Sequence, residues 1–226
     1  MCQWSETTHS RPILHGLKSN LESGVMDDVG ALNTKWEVGL SSWIIQDGNY
    51  VDFESAQRAE FALEFFSQTF LKSGVRRKSA KNLGAASYEI CGEVVCLTPE
   101  VWVLDFGILA FSERKPPEGI EVGDFVVADI YLGIDPFFYF EYLQSLAGMP
   151  SLIYSWVINA ICQQTAPCIP IPDPSGRATQ VRDASKLGYK TIQKTDAWKD
   201  DGGNAEYVLI CTRLGEPPNK KRNITT

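Results

Sequence analysis

The sequence predicts a mainly β protein, either a β-barrel or a strongly curved antiparallel sheet of about eight or nine strands, with one amphipathic helix packed on it. The stretch 119–143, GIEVGDFVVADIYLGIDPFFYFEYL, is the longest run of β-branched and aromatic residues. Aromatic residues form 11% of the chain, and such residues are enriched in strands. One face of the predicted central strand is entirely apolar: Val126, Ala128, Ile130 and Leu132. The opposite face is also largely apolar, so we expect cover on both sides, with Asp129 as the exception.

Length and composition indicate one globular domain. The chain has 226 residues, of which 44% are hydrophobic and 22% charged, which allows a substantial core. We expect a loosely ordered arm at 1–34, a single β-rich domain at 35–215 and a frayed C-terminal tail at 216–226. Neither a repeat nor a low-complexity tract is found.

The first part of the domain is predicted as a hairpin followed by the helix. Strands at 36–45 and 50–53 flank Asp47-Gly48, and Asp-Gly is a strong hairpin signal. The helix is predicted over 54–72, because Phe61, Phe65 and other apolar residues recur at three- and four-residue spacing. Gly74 ends it.

A basic cluster and a second hairpin follow. The cluster is interpreted as a solvated linker, with contact to a phosphate or an acidic partner as the alternative; it comprises Arg76, Arg77, Lys78 and Lys81. Strands at 87–97 and 101–111 are predicted to pair across the short link Thr98-Pro99-Glu100.

The later elements are more ambiguous. Residues 137–143 and 151–162 are predicted as strands, although Asp135-Pro136 would also suit the start of a helix. Residues 166–188 are rich in Pro, Asp, Ser and Arg and are predicted as a long irregular loop. A last hairpin is predicted from strands at 189–195 and 206–214.

Three carboxylates form the candidate site. The short link at 98–100 fixes the register, so that Val95 faces Val103 and Glu93 faces Asp105. Like charges directly opposite each other destabilise a hairpin unless another group compensates. With the right register, Asp129 and Tyr131 of the central strand would join them in one concavity. Such a cluster could bind a metal or a cationic ligand, or supply an acid and a base; alternatively, the carboxylates point to solvent or pair with Lys and Arg, for example Arg213 or Arg114.

Aromatic residues near turns are the second lead. Trp198 lies in the polar segment TDAWKDDGG, which favours an exposed side chain that could anchor a partner or fold over the end of the barrel. Trp156 and Tyr139 are interpreted as core residues. Trp198 is therefore added to the candidate binding residues.

Charge and motifs exclude several classes of function. The net charge of -7 and a pI near 4.9 disfavour binding to nucleic acid, which needs clustered Lys and Arg. They agree better with a basic protein partner. Common nucleotide-binding, metalloprotease, hydrolase and calcium-binding motifs are absent, so we expect no catalytic residues, cofactor or metal.

Cellular location follows from the cysteines and the N-terminus. The six cysteines form no CxxC pair, and the N-terminus lacks a secretory h-region, so we expect a cytoplasmic protein with free thiols. No segment is long and apolar enough to predict a membrane span.

Two functions remain. The strand and turn pattern resembles that of small β-barrels, OB-like ones included, but this is a likeness of architecture and carries no function. The first hypothesis is a cytoplasmic binding module that neutralises a basic partner. The second is a carboxylate-based enzyme, or a barrel that binds a small ligand or a metal, using Glu93, Asp105 and Asp129. The sequence leaves the identity of the partner and the oligomeric state open.

Overall fold

The fold is mainly β, as predicted. A computed structural model describes residues 35–172 and 178–222; the predicted N-terminal arm lies outside these ranges. Strands account for 47% of the structure, and the two helices are short. The chain divides into a larger unit, 32–165 with 188–226, and a smaller unit, 1–31 with 166–187.

The described residues contain strands β1 to β14 and helices α1 and α2. The strands are β1 (Lys35–Ser41), β2 (Arg58–Phe61), β3 (Leu63–Phe66), β4 (Leu71–Ser73), β5 (Ser79–Gly84), β6 (Ser87–Leu97), β7 (Trp102–Asp105), β8 (Leu109–Ser112), β9 (Phe125–Ile134), β10 (Tyr154–Gln164), β11 (Cys168–Pro172), β12 (Ala178–Arg182), β13 (Tyr189–Ile192) and β14 (Glu206–Arg213). The helices are α1 (Ser42–Gln46) and α2 (Phe138–Glu141), and single 3₁₀ turns lie at Leu143–Ser145, Ala184–Lys186 and Asp200–Gly203.

Five strands close into a barrel. Strand β9 pairs with β3, β3 with β8, β8 with β7, β7 with β6, and β6 again with β9. Because side chains alternate along each strand, one apolar set from every strand fills the interior. The predicted apolar face of β9 belongs to this core, and Asp129 lies on the exposed outer face.

A second group of strands continues from the barrel. Strand β14 lies between β1 and β10, and β10 also pairs with β2 and β13. Only Ala62 separates β2 from β3, so the chain passes there from the second sheet into the barrel. Strand β1 returns to β9 through the pair Gly39 and Gly133. Trp36, Trp156 and Tyr207 extend the main core into this sheet.

A smaller core covers part of the outer barrel surface. It contains Phe111 and Val103 from the barrel and Tyr139, Leu143 and Leu152 from the segment around α2. Asp135 lies two residues before the N-cap position Phe137 of α2, and its carboxylate oxygens accept hydrogen bonds from the backbone N–H groups of Phe137 (3.2 Å) and Tyr139 (3.1 Å), which favours a helical turn here. The prediction of a strand at 137–143 is therefore wrong, whereas the predicted strand at 151–162 corresponds to β10.

The predicted helix at 54–72 is also wrong, because these residues form β2, β3 and the start of β4. Phe61, Leu63 and Phe65 are fully buried on one face, which is strand alternation. A separation of four residues fits both a helix and a strand, so the spacing of Phe61 and Phe65 did not distinguish them.

Two predicted hairpins are different in the structure. Residues 42–46 form α1, and 50–53 form no strand, because the chain turns to pack against the segment before β14. Strands β13 and β14 both pair with β10 instead of with each other. The tail is not frayed over 216–222, since Asn219 pairs with Ile153.

The smaller unit contains a hairpin where a loop was predicted. Strands β11 and β12 pair in antiparallel fashion, and an Arg182 guanidinium nitrogen donates to the Ala166 carbonyl oxygen at 2.9 Å. Among the described cysteines, Cys91, Cys96, Cys162 and Cys211 are free.

Candidate functional site

The structure pairs Glu93 with Asp105, as the sequence predicted. They are direct partners in the antiparallel ladder of β6 and β7. The predicted pairing of Val95 with Val103 is wrong, because the link is one residue longer than predicted: Leu97 pairs with Trp102, and Cys96 with Val103. A bulge at Val95 then shifts the register back by one residue, which restores the pairing of Glu93 with Asp105.

Lys78 joins the two carboxylates. Its ammonium nitrogen lies 3.0 Å from a Glu93 carboxylate oxygen and 2.7 Å from an Asp105 oxygen. The hydrogen bond to Asp105 is the main cause that raises the pKa of Lys78, and the bond to Glu93 adds to it. Lys78 therefore compensates the repulsion between the facing carboxylates, and the three residues form a structural ion cluster on the outer barrel surface.

The basic cluster is therefore not a purely solvated linker. Besides Lys78, Arg76 is engaged: its guanidinium carbon lies 5.1 Å from the centroid of the Phe125 ring, and a guanidinium nitrogen donates to the Gly123 carbonyl oxygen at 3.2 Å. These contacts fasten the segment after β4 to the barrel.

Asp129 does not join Glu93 and Asp105. Its ladder partner is Glu89, whereas Glu93 pairs with Phe125, four residues away along β9. Four residues span about 13 Å in a strand, so the predicted concavity is wrong for Asp129, which faces solvent.

Tyr131 is a packing residue. Its ring covers Gly39 of β1 so closely that a Cβ atom there would collide with the phenol. Tyr131 thus fills space between β9 and β1 and lies two residues beyond Asp129 on the same strand.

A cleft of about 330 Å³ opens beside Asp105, and its main polar groups are already engaged. An Arg213 nitrogen donates to the Gly107 carbonyl oxygen at 3.1 Å, and the Tyr154 hydroxyl accepts the Leu109 backbone N–H at 2.9 Å. One Asp105 oxygen accepts the backbone N–H of Gly107 at 3.0 Å, and the other binds Lys78. The cleft thus presents structural contacts around the candidate carboxylate.

Trp198 is exposed, as predicted, with 69% of its surface accessible. Trp156 and Tyr139 are fully buried, which confirms their interpretation as core residues. Trp198 belongs to what we call the tryptophan surface, the two segments 42–54 and 194–206. Val51 lies on the other segment and is 73% exposed.

Side-chain hydrogen bonds hold these two segments together. The Gln46 side-chain amide donates to the carbonyl oxygens of Ala197 (2.7 Å) and Gly203 (2.8 Å). An Asp52 carboxylate oxygen accepts from the Thr195 hydroxyl (2.8 Å) and from the Ala197 backbone N–H (2.9 Å). The residue before Trp198 is therefore fixed from two sides, which gives the exposed indole a defined backbone position.

The tryptophan surface is strongly acidic. Its two segments contain seven carboxylates and two lysines, so they carry five of the seven net negative charges of the chain. Within this surface, the Tyr207 hydroxyl donates to an Asp200 oxygen at 2.9 Å. Burial raises the pKa of Tyr207, as do the hydrogen bond and charge of Asp200 and then the charges of Asp52 and Asp196. The carboxylates thus share one electrostatic environment.

Sequence analysis missed part of this surface because it predicted hairpins that would separate the two segments. Both segments contain several Asp residues, at 47–52 and 196–201, and these were the signal from which an acidic surface could have been predicted. Hydrogen bonds made by Asp52 and Gln46 join the two segments, and no local sequence pattern predicts such long-range bonds.

Sequence analysis also missed two buried carboxyl groups, Glu64 and Asp135. Desolvation raises the pKa of Glu64 well above its ordinary value; the charge of Asp135 and then that of Glu113 act in the same direction, and Arg114 opposes them. Burial raises the pKa of Asp135 to about 7, although the backbone N–H groups that it accepts act in the opposite direction. Glu64 lies on the face of β3 opposite to Leu63 and Phe65, so strand alternation alone would predict an outward-facing side chain.

Metal binding finds no support in the part of the chain that the structure describes, where no group of three or more His, Cys, Asp or Glu side chains could hold an ion. None of the helices in the described ranges is long and apolar enough to cross a membrane. Comparison with known protein families, curated proteins and solved structures finds no significant match for this chain.

Proposed function

We propose that the protein is a binding module that recognises a basic protein through the tryptophan surface. One observation carries this proposal: Trp198 is 69% exposed on a backbone fixed by hydrogen bonds and has acidic residues on both sides of it in the chain. This exposure is unusual, because tryptophan side chains in folded proteins are mostly buried.

Tryptophan is well suited to anchor a partner. Its large ring buries much apolar area with few rotatable bonds, and tryptophan is enriched among the residues that dominate binding energy at interfaces. Because Asp52 and Gln46 already fix the neighbouring Ala197, little backbone entropy is lost on binding.

The surrounding charges specify the partner. Asp52 and Asp200 accept hydrogen bonds from neutral groups, namely a hydroxyl or N–H group, and these bonds leave their negative charge in place. Asp196 has a close lysine, Lys199, at 2.9 Å. A surface with this excess of negative charge attracts a basic surface and speeds the encounter.

The test is affinity capture from native cell extract with wild-type protein and two variants. Trp198→Ala should lose a basic partner that the wild type captures, since its anchor is gone. Tyr142→Ala is the matched control, because Tyr142 is another exposed aromatic residue, 49% accessible, and lies outside the tryptophan surface. Equal capture by wild type and Trp198→Ala would refute the proposal, as would a partner that is acidic.

A charge experiment on the captured partner adds a second criterion. Asp196→Asn should slow association, and added salt should abolish its difference from wild type. Asp129→Asn, which removes an exposed carboxylate from the barrel surface, should leave the association rate nearly unchanged. If both variants slowed association equally, the net charge and not this surface would control binding.

The alternative is a carboxylate-based enzyme or ligand-binding barrel at Glu93, Asp105 and Asp129. It has less support, because Lys78 bridges the first two residues and the third lies elsewhere on the barrel. The observation that would restore it is a small ligand whose binding is lost in Glu93→Gln.

A further inference from the structure

Arg222, close to the C-terminal end, lies between two aromatic rings. Its guanidinium carbon is 4.5 Å from the centroid of the Tyr50 ring and 4.2 Å from that of Phe140. The two rings are nearly perpendicular, at 86°, with centroids 6.3 Å apart. A cation within about 6 Å of a ring centroid is attracted by the negative face of the ring, and here one guanidinium has two such rings.

The two rings have supports that do not involve Arg222. The Tyr50 hydroxyl donates to the Asp135 carbonyl oxygen at 2.8 Å, and the Tyr50 ring also packs against Phe53, with centroids 5.8 Å apart. Phe140 belongs to α2, in which the backbone N–H of Tyr139 donates to the Asp135 carboxylate at 3.1 Å. Both rings are therefore held in place through Asp135, and we expect them to keep their separation when Arg222 is absent.

Arg222 is brought to these rings by a short anchored tail. The backbone N–H and carbonyl oxygen of Asn219 bond to Ile153 at 2.7 and 2.9 Å. The Lys220 ammonium donates to the Gln144 carbonyl oxygen at 3.4 Å. Three residues beyond the Asn219 anchor, Arg222 reaches the rings, so the tail holds its guanidinium there at a high effective concentration.

We propose that Tyr50 and Phe140 form a preformed site for a guanidinium group, which Arg222 fills within the chain and which an arginine of another protein enters when Arg222 leaves. The chemistry favours arginine over lysine, because the guanidinium is flat, stacks on aromatic faces and is more weakly hydrated than an ammonium. This inference is independent of the tryptophan surface and holds whether or not that surface binds a basic protein.

The test uses methylguanidinium as the probe and ligand-observed NMR as the readout. Arg222→Ala should bind methylguanidinium saturably, with an upfield shift of the probe's methyl signal caused by the aromatic rings. Wild type should bind it at least roughly tenfold more weakly, because the tethered Arg222 competes for the same site. Arg222→Gln is a second variant that also removes the guanidinium and should behave as Arg222→Ala does.

Two controls define the site. Lys221→Ala removes the same charge one position earlier, from an exposed residue, and should bind the probe as weakly as wild type. Adding Phe140→Leu to Arg222→Ala should abolish saturable binding, and methylammonium should bind less than methylguanidinium in every variant. Equal binding in wild type and both Arg222 variants, or binding that survives Phe140→Leu, would overturn the proposal.

Discussion

Two pairs of neighbouring carboxyl groups lie in very different environments in this structure. Glu93 and Asp105 face each other on the outer barrel surface, partly exposed, and share the ammonium of Lys78. Glu64 and Asp135 are almost completely buried, and neither has an ion-pair partner in the described part of the chain. The first pair shares a cation, whereas burial raises the pKa values of the second pair and favours their protonated forms.

Solvent access explains the difference. A partly exposed carboxylate keeps most of its hydration, so one lysine suffices to offset repulsion. A buried carboxylate loses that hydration, and without a partner its charged form is strongly disfavoured. The backbone N–H groups of Phe137 and Tyr139 donate to the Asp135 carboxylate and partly offset this cost. The charge of Arg114 lowers the pKa of Glu64, but burial outweighs it.

Among single substitutions, the largest effect should come from removing the carboxyl group of Asp135. Asp135→Ala leaves the N–H groups of Phe137 and Tyr139 without their acceptor in a buried place. Each buried donor without a partner costs about 1–3 kcal/mol, so the free energy of unfolding should fall by roughly 3 kcal/mol. Urea unfolding near pH 4 measures this loss, because at higher pH the substitution also relieves the cost of ionising the buried Asp135. Asp135→Asn keeps one acceptor oxygen and should lose about half as much; a loss below about 0.5 kcal/mol for Asp135→Ala would show that these hydrogen bonds are unimportant.

The pH dependence of stability should reveal the two buried groups. A carboxyl group whose pKa is raised on folding stabilises the protein fully below its unfolded pKa, and this contribution is lost as pH rises to the folded pKa. For Asp135, with a folded pKa of about 7, the free energy of unfolding should therefore decrease between about pH 4 and pH 7. At about 1.36 kcal/mol for each pKa unit, its contribution is on the order of 4 kcal/mol. A stability curve that rises over this pH range would contradict the assignment.

Glu64→Gln should separate the two buried groups. The amide cannot ionise, so the variant avoids the cost that Glu64 incurs at high pH, and it should be more stable than wild type at pH 8 by roughly 1–3 kcal/mol. The gain should shrink or reverse near pH 4, where Glu64 is protonated in both the folded and the unfolded protein. Chemical unfolding at both pH values checks this, with the exposed Glu89→Gln as control; an equal gain at both pH values would mean that ionisation of Glu64 is irrelevant.

The contrast also shows which parts of the molecule the sequence could predict. The Glu93–Asp105 pair was predicted from a short turn and from strand alternation, both local, but it is correct because a link one residue longer than predicted and the bulge at Val95 cancel each other. Burial of Glu64 was not predicted, because strand alternation places it on the face opposite to Leu63 and Phe65. Lys78 lies far along the chain from Asp105, so its role needed the pairing of β5 with β6.

Long-range contacts also limited what could be predicted of the tryptophan surface and of the fold. An exposed Trp198 could be predicted from its polar neighbours, whereas the acidic residues on the other segment needed the tertiary contacts of Asp52. Mainly β architecture followed from composition and alternation, but β13 and β14 joining β10 from opposite sides is a long-range arrangement that no local pattern specifies.

Removing Lys78 should convert the exposed pair into a repulsive one. Lys78→Met should lower the free energy of unfolding by about 1 kcal/mol at low salt, since surface ion pairs are worth up to that amount and facing like charges add to the loss. Adding Glu93→Gln to Lys78→Met should recover part of the loss, whereas Glu93→Gln alone should cost a few tenths of a kcal/mol. A double-mutant cycle measures the coupling between the two residues. No coupling would mean that Lys78 does not compensate the pair.

The smallest effect should arise where carboxylates face each other without a shared lysine. Asp129 lies opposite Glu89 on the exposed face of β9 and β6, and no ion pair involving either residue is found in the described ranges. Asp129→Lys would place opposite charges across the two strands and should raise the free energy of unfolding by about 0.5 kcal/mol at low salt. The gain should nearly vanish at 1 M salt, where screening acts within about 3 Å. Asp129→Asn removes only the repulsion and should give a smaller gain; if the lysine variant were less stable than the asparagine variant, charge pairing across these strands would not contribute.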